Sequence, residues 1–252
     1  MSWLRIVMVA SALFLFAATA LFVKKSTYAK YVAAIGFVLN GVVVAINWIS
    51  NGYVPFISMY QVLAFVGVCF PLAYLLIHFV RETKVNFAWF TLCAGVCMVG
   101  SAAMFSTMIW HRAPALQSPF FIPHILCYIL SYSLCAVAFV QTIVMMCQKK
   151  EEDKAETEKS IYAIVITAFP FMVMGMFLGA IWANECWGNY WSWDPKENWA
   201  LITTCLYAFY FHVRKRKFFK KWLVPVLIIA FVSLIITFIG VNAVEGALHS
   251  YS

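Results

Sequence analysis

Long apolar runs separated by short polar breaks recur along the whole chain. The pattern predicts eight helices, over residues 3–23, 31–49, 57–80, 87–110, 122–147, 161–182, 196–213 and 222–242. Runs of this kind suit a helix that crosses a ~30 Å hydrocarbon core. Ten-residue segments of alternating hydrophobicity, the mark of a membrane β-barrel, do not occur. The first run ends in Lys24-Lys25 without a clear cleavage site, so it reads as a retained span and not as a signal peptide. The expected fold is all-α: a polytopic integral membrane helical bundle of about eight transmembrane helices. With only short connections, the chain reads as one membrane domain, 1–252, with four helices in 1–110 and the rest in 111–252.

The polar breaks alternate in character. One set is basic: Lys24, Lys25 and Lys30; Arg81 and Lys84; Lys149, Lys150, Lys154 and Lys159; and the run from Arg214 to Lys217 with Lys220 and Lys221. The other set holds only Arg5, Arg112 and Lys196. The positive-inside rule assigns the first set to the cytoplasmic side and puts both termini outside. The net charge of +8 is then topological; it calls for a lipid bilayer and no nucleic acid. Glu151-Glu152-Asp153 reads as a solvated loop. Only 11% of residues are charged and the mean hydropathy is +0.86, against about 25% charged residues in soluble domains. The eight cysteines include no C-x-x-C or C-x-x-C-H, which argues against a c-type cytochrome or a thiol oxidoreductase. Most sit in apolar runs as small packing residues. Cys186 is the one candidate surface thiol.

One stretch departs from this hydrocarbon background: Trp187-Gly188-Asn189-Tyr190-Trp191-Ser192-Trp193-Asp194-Pro195-Lys196-Glu197-Asn198-Trp199. By topology it lies outside, between the sixth and seventh helices. Indole wants apolar contact for its ring and a partner for its N–H, and a membrane boundary offers both. A belt explains one or two tryptophans. Four crowded together suit a flat aromatic ligand. Asp194-Pro195-Lys196-Glu197 also reads as a helix start, with Asp at the N-cap, Pro at the first helical position and Glu three residues after the cap.

The spacing WGxYWxWDxKExW resembles the tryptophan-rich WWD signature of membrane proteins that handle haem for cytochrome c maturation. The continuation WDPKExWAL is similar to the CcsA (ResC) branch; the CcmC branch lacks Pro-Lys-Glu. The external turn from Asn47 to Gln61 resembles a CcsA segment in which Glu is usual at the Gln61 position. The resemblance covers roughly residues 40–252 and is strongest from 120 onward.

Five histidines weigh as ligands, because an ionisable residue in or beside a membrane is costly and imidazole is a common haem ligand. His124 follows Pro123 at the external start of the fifth helix, with Tyr128, Ser131 and Cys135 along its face. His249 lies beyond the eighth helix in Gly246-Ala247-Leu248-His249-Ser250-Tyr251. Both stand at the level of the tryptophan stretch and resemble the two periplasmic histidines of the CcsA family. His212 is 17 residues beyond Pro195, or about 26 Å at ~1.5 Å per residue. It reads either as a snorkelling residue before the basic turn or, by resemblance, as the CcsA transmembrane histidine. His111 is a reserve for the outer site, and His78 reads as an interfacial residue.

The resemblance implies a haem-handling subunit of a cytochrome c synthase, or haem lyase, in a bacterial cytoplasmic membrane or a thylakoid equivalent. Non-covalent b-type haem in transit would enter at an inner site involving His212. It would then be held by His124 and His249 as axial ligands over the platform of Trp187, Gly188, Tyr190, Trp191, Trp193, Asp194, Lys196, Glu197 and Trp199. Arg112 and Lys196 are the external cations suited to its propionates. Apocytochrome c would meet the haem there. One good ligand near the cytoplasmic side and the lack of an external domain call for a CcsB (ResB) partner. CcmC-like delivery of haem to a chaperone, a haem-b electron-transfer subunit and a small-molecule transporter are the other readings.

Overall fold

The computed structural model describes residues 2–81, 85–106 and 113–240. Among these residues the chain is helical, with no strand. The α-helices are α1 (Ser2–Val23), α2 (Ala29–Asn51), α3 (Met59–Val80), α4 (Ala88–Ala103), α5 (Phe121–Cys147), α6 (Glu151–Trp187), α7 (Pro195–Lys215) and α8 (Leu223–Phe238). Short 3-10 turns cover Pro114–Gln117 and Lys217–Trp222. Six spans have the length and apolar character to cross a bilayer: Trp3–Val23, Ala29–Asn51, Met59–Val80, Phe121–Cys147, Glu151–Trp187 and Phe218–Phe238. The other two differ for separate reasons. α4 is only 16 residues long, and α7 carries Thr203, Thr204 and Tyr207 on a buried face. The expectation of a helical membrane bundle holds.

Four helix bounds differ from expectation by four residues or more; α6 runs on to Trp187 and not 182, and α8 ends at Phe238 and not 242. α4 ends at Ala103, not at 110, and residues 107–112 lie outside the described ones. α6 starts at Glu151, so the acidic triplet expected as a loop forms its first turn. Carboxylates there complement the positive end of the helix dipole. At ~1.5 Å per residue the 37 residues of α6 outrun the hydrocarbon core by several turns. The surplus projects at the basic end.

The chain divides into two compact units, residues 1–112 and 113–252. In the first, α1 packs on α2 and α4, and α3 on α4 and α2. Apolar surface alone gives little drive to join helices in lipid, so small residues and interhelical hydrogen bonds do the joining. The Ser11 hydroxyl donates to Gly36 O at 2.8 Å, and the Thr19 and Thr91 hydroxyls meet at 2.9 Å. Tyr60 donates to Asn47 Oδ1 at 2.9 Å, and Ser101 donates to Tyr60 O at 2.7 Å. The buried Asn40 amide, assigned with its nitrogen toward Ala64 O and its oxygen toward Val68 N–H, donates at 2.9 Å and accepts at 3.1 Å.

In the second unit α5 and α6 form a hairpin, α7 packs on α8, and α5·α8 and α6·α7 contacts close the ring. Phe139 stacks on Phe231 at 4.2 Å across α5 and α8. Thr203 on α7 meets Ser233 at 2.7 Å and Thr237 at 3.3 Å on α8. Tyr207 and Tyr210 fill the interior. Because α7 turns its hydroxyls inward, the least apolar helix can stand in a membrane unit.

Candidate functional site

Near the tryptophan stretch the second unit is built on two glycines of α6, Gly175 and Gly179. A Cβ on Gly179 would lie 2.6 Å from Cε1 of His124, and one on Gly175 would lie 3.0 Å from the Tyr128 ring. The small-xxx-small spacing therefore opens a notch into which α5 lowers two aromatic side chains. His124 Nδ1 is 2.8 Å from Gly175 O. A carbonyl only accepts, so Nδ1 carries the proton and donates. In the neutral ring this leaves the lone pair on Nε2, the atom a metal takes, with the ring angle fixed by the backbone. Trp182 stacks on His124 at 5.6 Å and 27°. Trp182 is itself only 2% exposed, and its indole N–H donates to Ala115 O at 2.8 Å. The tautomer and orientation of His124 thus fit an axial histidine.

Trp182 links His124 to the tryptophan stretch, meeting Trp187 edge-on at 5.0 Å. Gly188 ends α6 at φ +78° and its N–H donates to Asn184 O at 2.9 Å. The left-handed cap is a conformation in which a Cβ is disfavoured, which accounts for Gly at this point. Cys186, the candidate surface thiol, points its Sγ to Ala115 O at 3.5 Å. It packs against the loop.

The following loop is held by α7. Lys196 N–H donates to Asp194 Oδ1 at 2.9 Å. Glu197 Oε2 accepts from Asp194 N at 3.2 Å and from Ser192 N at 2.8 Å. Asp194 and Glu197 form the expected capping box, with Pro195 at the first helical position. Asn198 adds a tie that the sequence did not advertise: its amide donates to Trp193 O at 2.8 Å. Trp193 has φ +57°, which is strained for so bulky a side chain. Trp193 meets Trp191 edge-on at 6.0 Å, yet it is 69% exposed, and Tyr190 is 61% exposed. Three side-chain grips therefore hold two aromatic faces out on a stiff loop. Trp199 is half-buried on the first turn of α7.

The other site residues lie elsewhere. His212 is on the last turn of α7 and is exposed, as are Phe209 and Cys205 on the same face. It is not brought near His124. His78 is on the last turn of α3 and stacks on Tyr74 at 6.2 Å and 13°. His249, His111 and Arg112 lie outside the described residues.

Comparison with known proteins decides the family. Residues 56–249 match the cytochrome c assembly protein family. The chain belongs to that family. A cytochrome c biogenesis protein CcsA of Mesostigma viride is 30% identical over 84% of this chain and 82% of its own length. CcsA of Cuscuta exaltata is 32% identical over 85% and 82%. CcsA of Chlamydomonas reinhardtii is 32% identical over 82% of this chain and 63% of that longer relative. The CcsA resemblance drawn from the tryptophan stretch is thereby borne out. The matched segment runs from before α3 through His249, so α1 and α2 precede it. Trp182, Gly175, Gly179 and Asn198 are the neighbours of the candidate site that sequence reasoning passed over. The Gly-x-x-x-Gly spacing at 175–179 was the available signal for the notch.

Proposed function

We propose that this chain serves cytochrome c biogenesis as a haem-handling subunit of a cytochrome c synthase. It would move haem across the membrane to the tryptophan loop for attachment to apocytochrome c. What carries the reading is the His124 arrangement: Nδ1 committed to Gly175 O, the ring stacked on Trp182, and the family match around it. His124 and His249 would be the axial ligands. Trp191 and Trp193 would offer ring faces to the macrocycle, with Arg112 and Lys196 toward its carboxylates. Attachment adds a cysteine S–H across each vinyl double bond, so the chain needs no nucleophile of its own. Its work is to position the cargo and keep competing reactions out.

His212 would ligate haem at an inner site. On this reading its exposed face on α7 is covered by a second chain, of CcsB type, that supplies the other ligand. An imidazole facing lipid is unfavourable, which supports a covering helix. The basic end would be cytoplasmic and the tryptophan loop on the opposite side. The test is an absorption spectrum and haem stain of the full chain purified with and without a CcsB-type partner. A six-coordinate b-type spectrum, strengthened by the partner, is expected. Haem-free protein in both preparations, at normal yield, sinks the proposal.

A further inference from the structure

The basic end of the second unit holds a cavity of about 640 Å³ that the haem reading does not use. Its apolar wall is Met145 and Met146 from the end of α5 with Leu223 and Val224 from the start of α8. Its polar rim is Glu151, Lys154 and Glu158 on α6 and Lys220 before α8. Apolar wall and charged rim meet where the chain leaves the hydrocarbon layer. The segment beside it marks that level. Phe218 is 78% and Trp222 51% exposed, and Lys221 lies over the Phe218 ring at 5.8 Å. Aromatic and basic residues mixed in this way sit among lipid headgroups.

The rim carries two carboxylates and two ammonium groups, and both carboxylates are already engaged. Glu158 is already engaged by Arg214 at 3.5 Å, and Arg214 is held over the Tyr162 ring at 4.0 Å. Glu151 pairs with Lys154 at 2.7 Å in an exposed, exchangeable contact. Lys220 adds a further positive charge, and in the flanking sequence Lys149, Lys150, Lys215 and Arg216 outnumber Glu152, Asp153 and Glu156. We propose that this cavity seats the headgroup of an anionic phospholipid. The phosphate lies between Lys154 and Lys220, and the first methylenes lie on the methionine–leucine–valine wall. Basic pockets between transmembrane helices recognise such headgroups. The lining holds no histidine among the described residues, and the exposed Phe218 and Trp222 flank Lys220 in sequence. Both features favour a lipid over a porphyrin. The inference is independent of the haem reading.

The test uses the full chain in detergent, titrated with dioleoyl phosphatidylglycerol or with phosphatidylcholine of the same chains, and native mass spectrometry as the readout. Phosphatidylglycerol should bind preferentially. Each lysine near an anionic headgroup contributes a factor of about five, so Lys154→Gln with Lys220→Gln should weaken retention roughly thirtyfold. Lys149→Gln with Lys221→Gln removes the same charge outside the cavity and should leave retention within about twofold. Glu151→Gln releases Lys154 from its pair and should strengthen retention, a gain that misfolding cannot produce. Equal loss in the two double variants would show surface charge alone and overturn the site. So would equal binding of phosphatidylcholine, an unchanged Glu151→Gln, or displacement of the lipid by added hemin.

Discussion

His124 and His212 sit near opposite ends of the same unit, and the chain treats them differently. His124 is enclosed by its own fold: two glycines make room for it, a carbonyl fixes its proton, and Trp182 covers its face. His212 is exposed beside Phe209 and Cys205 and has no such enclosure. A histidine whose tautomer and angle are fixed within one chain can offer Nε2 in a defined direction without help. One that stands on an open helix face can be oriented only by whatever covers that face. The contrast teaches that the setting of His124 is an intrachain construction, whereas that of His212 is left to whatever covers its helix face.

The sharpest way to break the comparison is to remove the proposed ligands in turn. His124→Gly and His249→Gly should each abolish the six-coordinate spectrum, and added imidazole should restore it in part. An unchanged spectrum in both variants would remove the outer assignment. Next in size is His212. His212→Ala should lower total haem several-fold and, if the two sites are in series, deplete the outer site as well. His212→Lys separates ligation from anchoring, because an interfacial anchor tolerates Lys. Normal haem content in His212→Lys, at equal protein level, would assign His212 to the headgroups and end the inner-site proposal for this chain.

Gly179→Ala sharpens the outer half of the contrast without touching a ligand. The added methyl would press on the His124 ring, and overpacking of this kind costs about 1–3 kcal/mol. Haem affinity should fall about tenfold or more while the protein still accumulates, whereas Gly41→Ala, in open space, should do nothing. Equal behaviour of the two variants would show that the notch does not position His124. The smallest effects belong to the loop. Trp193→Phe should retain more haem than Trp193→Ala, since ring area survives. Asn198→Ala removes one hydrogen bond to the Trp193 carbonyl, a loss of about 1 kcal/mol, and should weaken haem retention less than fivefold. Equal haem loss in Phe and Ala variants of Trp193 would point to the indole N–H or to folding in place of stacking.

Eight apolar runs and their basic or neutral breaks determined the count of α-helices among the described residues and most of the helix bounds, because spanning length and hydropathy are local properties of the chain. The capping box at Asp194 and Glu197 was equally legible, since its donors and acceptors lie within three residues. The Trp-rich spacing was enough to point to the family, and the match over residues 56–249 bears it out. Glu151-Glu152-Asp153 read as loop because its polarity hid a helix start that projects beyond the bilayer. The tertiary structure alone decided what surrounds His124. Gly175 and Trp182 are more than 50 residues from it in sequence, and only the α5–α6 hairpin sets that carbonyl and that ring against the imidazole. The left-handed conformation of Trp193 has local ties, from Asn198 and Glu197 within five residues, yet no pattern in the sequence announced it. Local pattern specifies which segments enter the membrane; the direction in which a ring or a lone pair points depends on a second helix, and no periodicity along one helix records that partner.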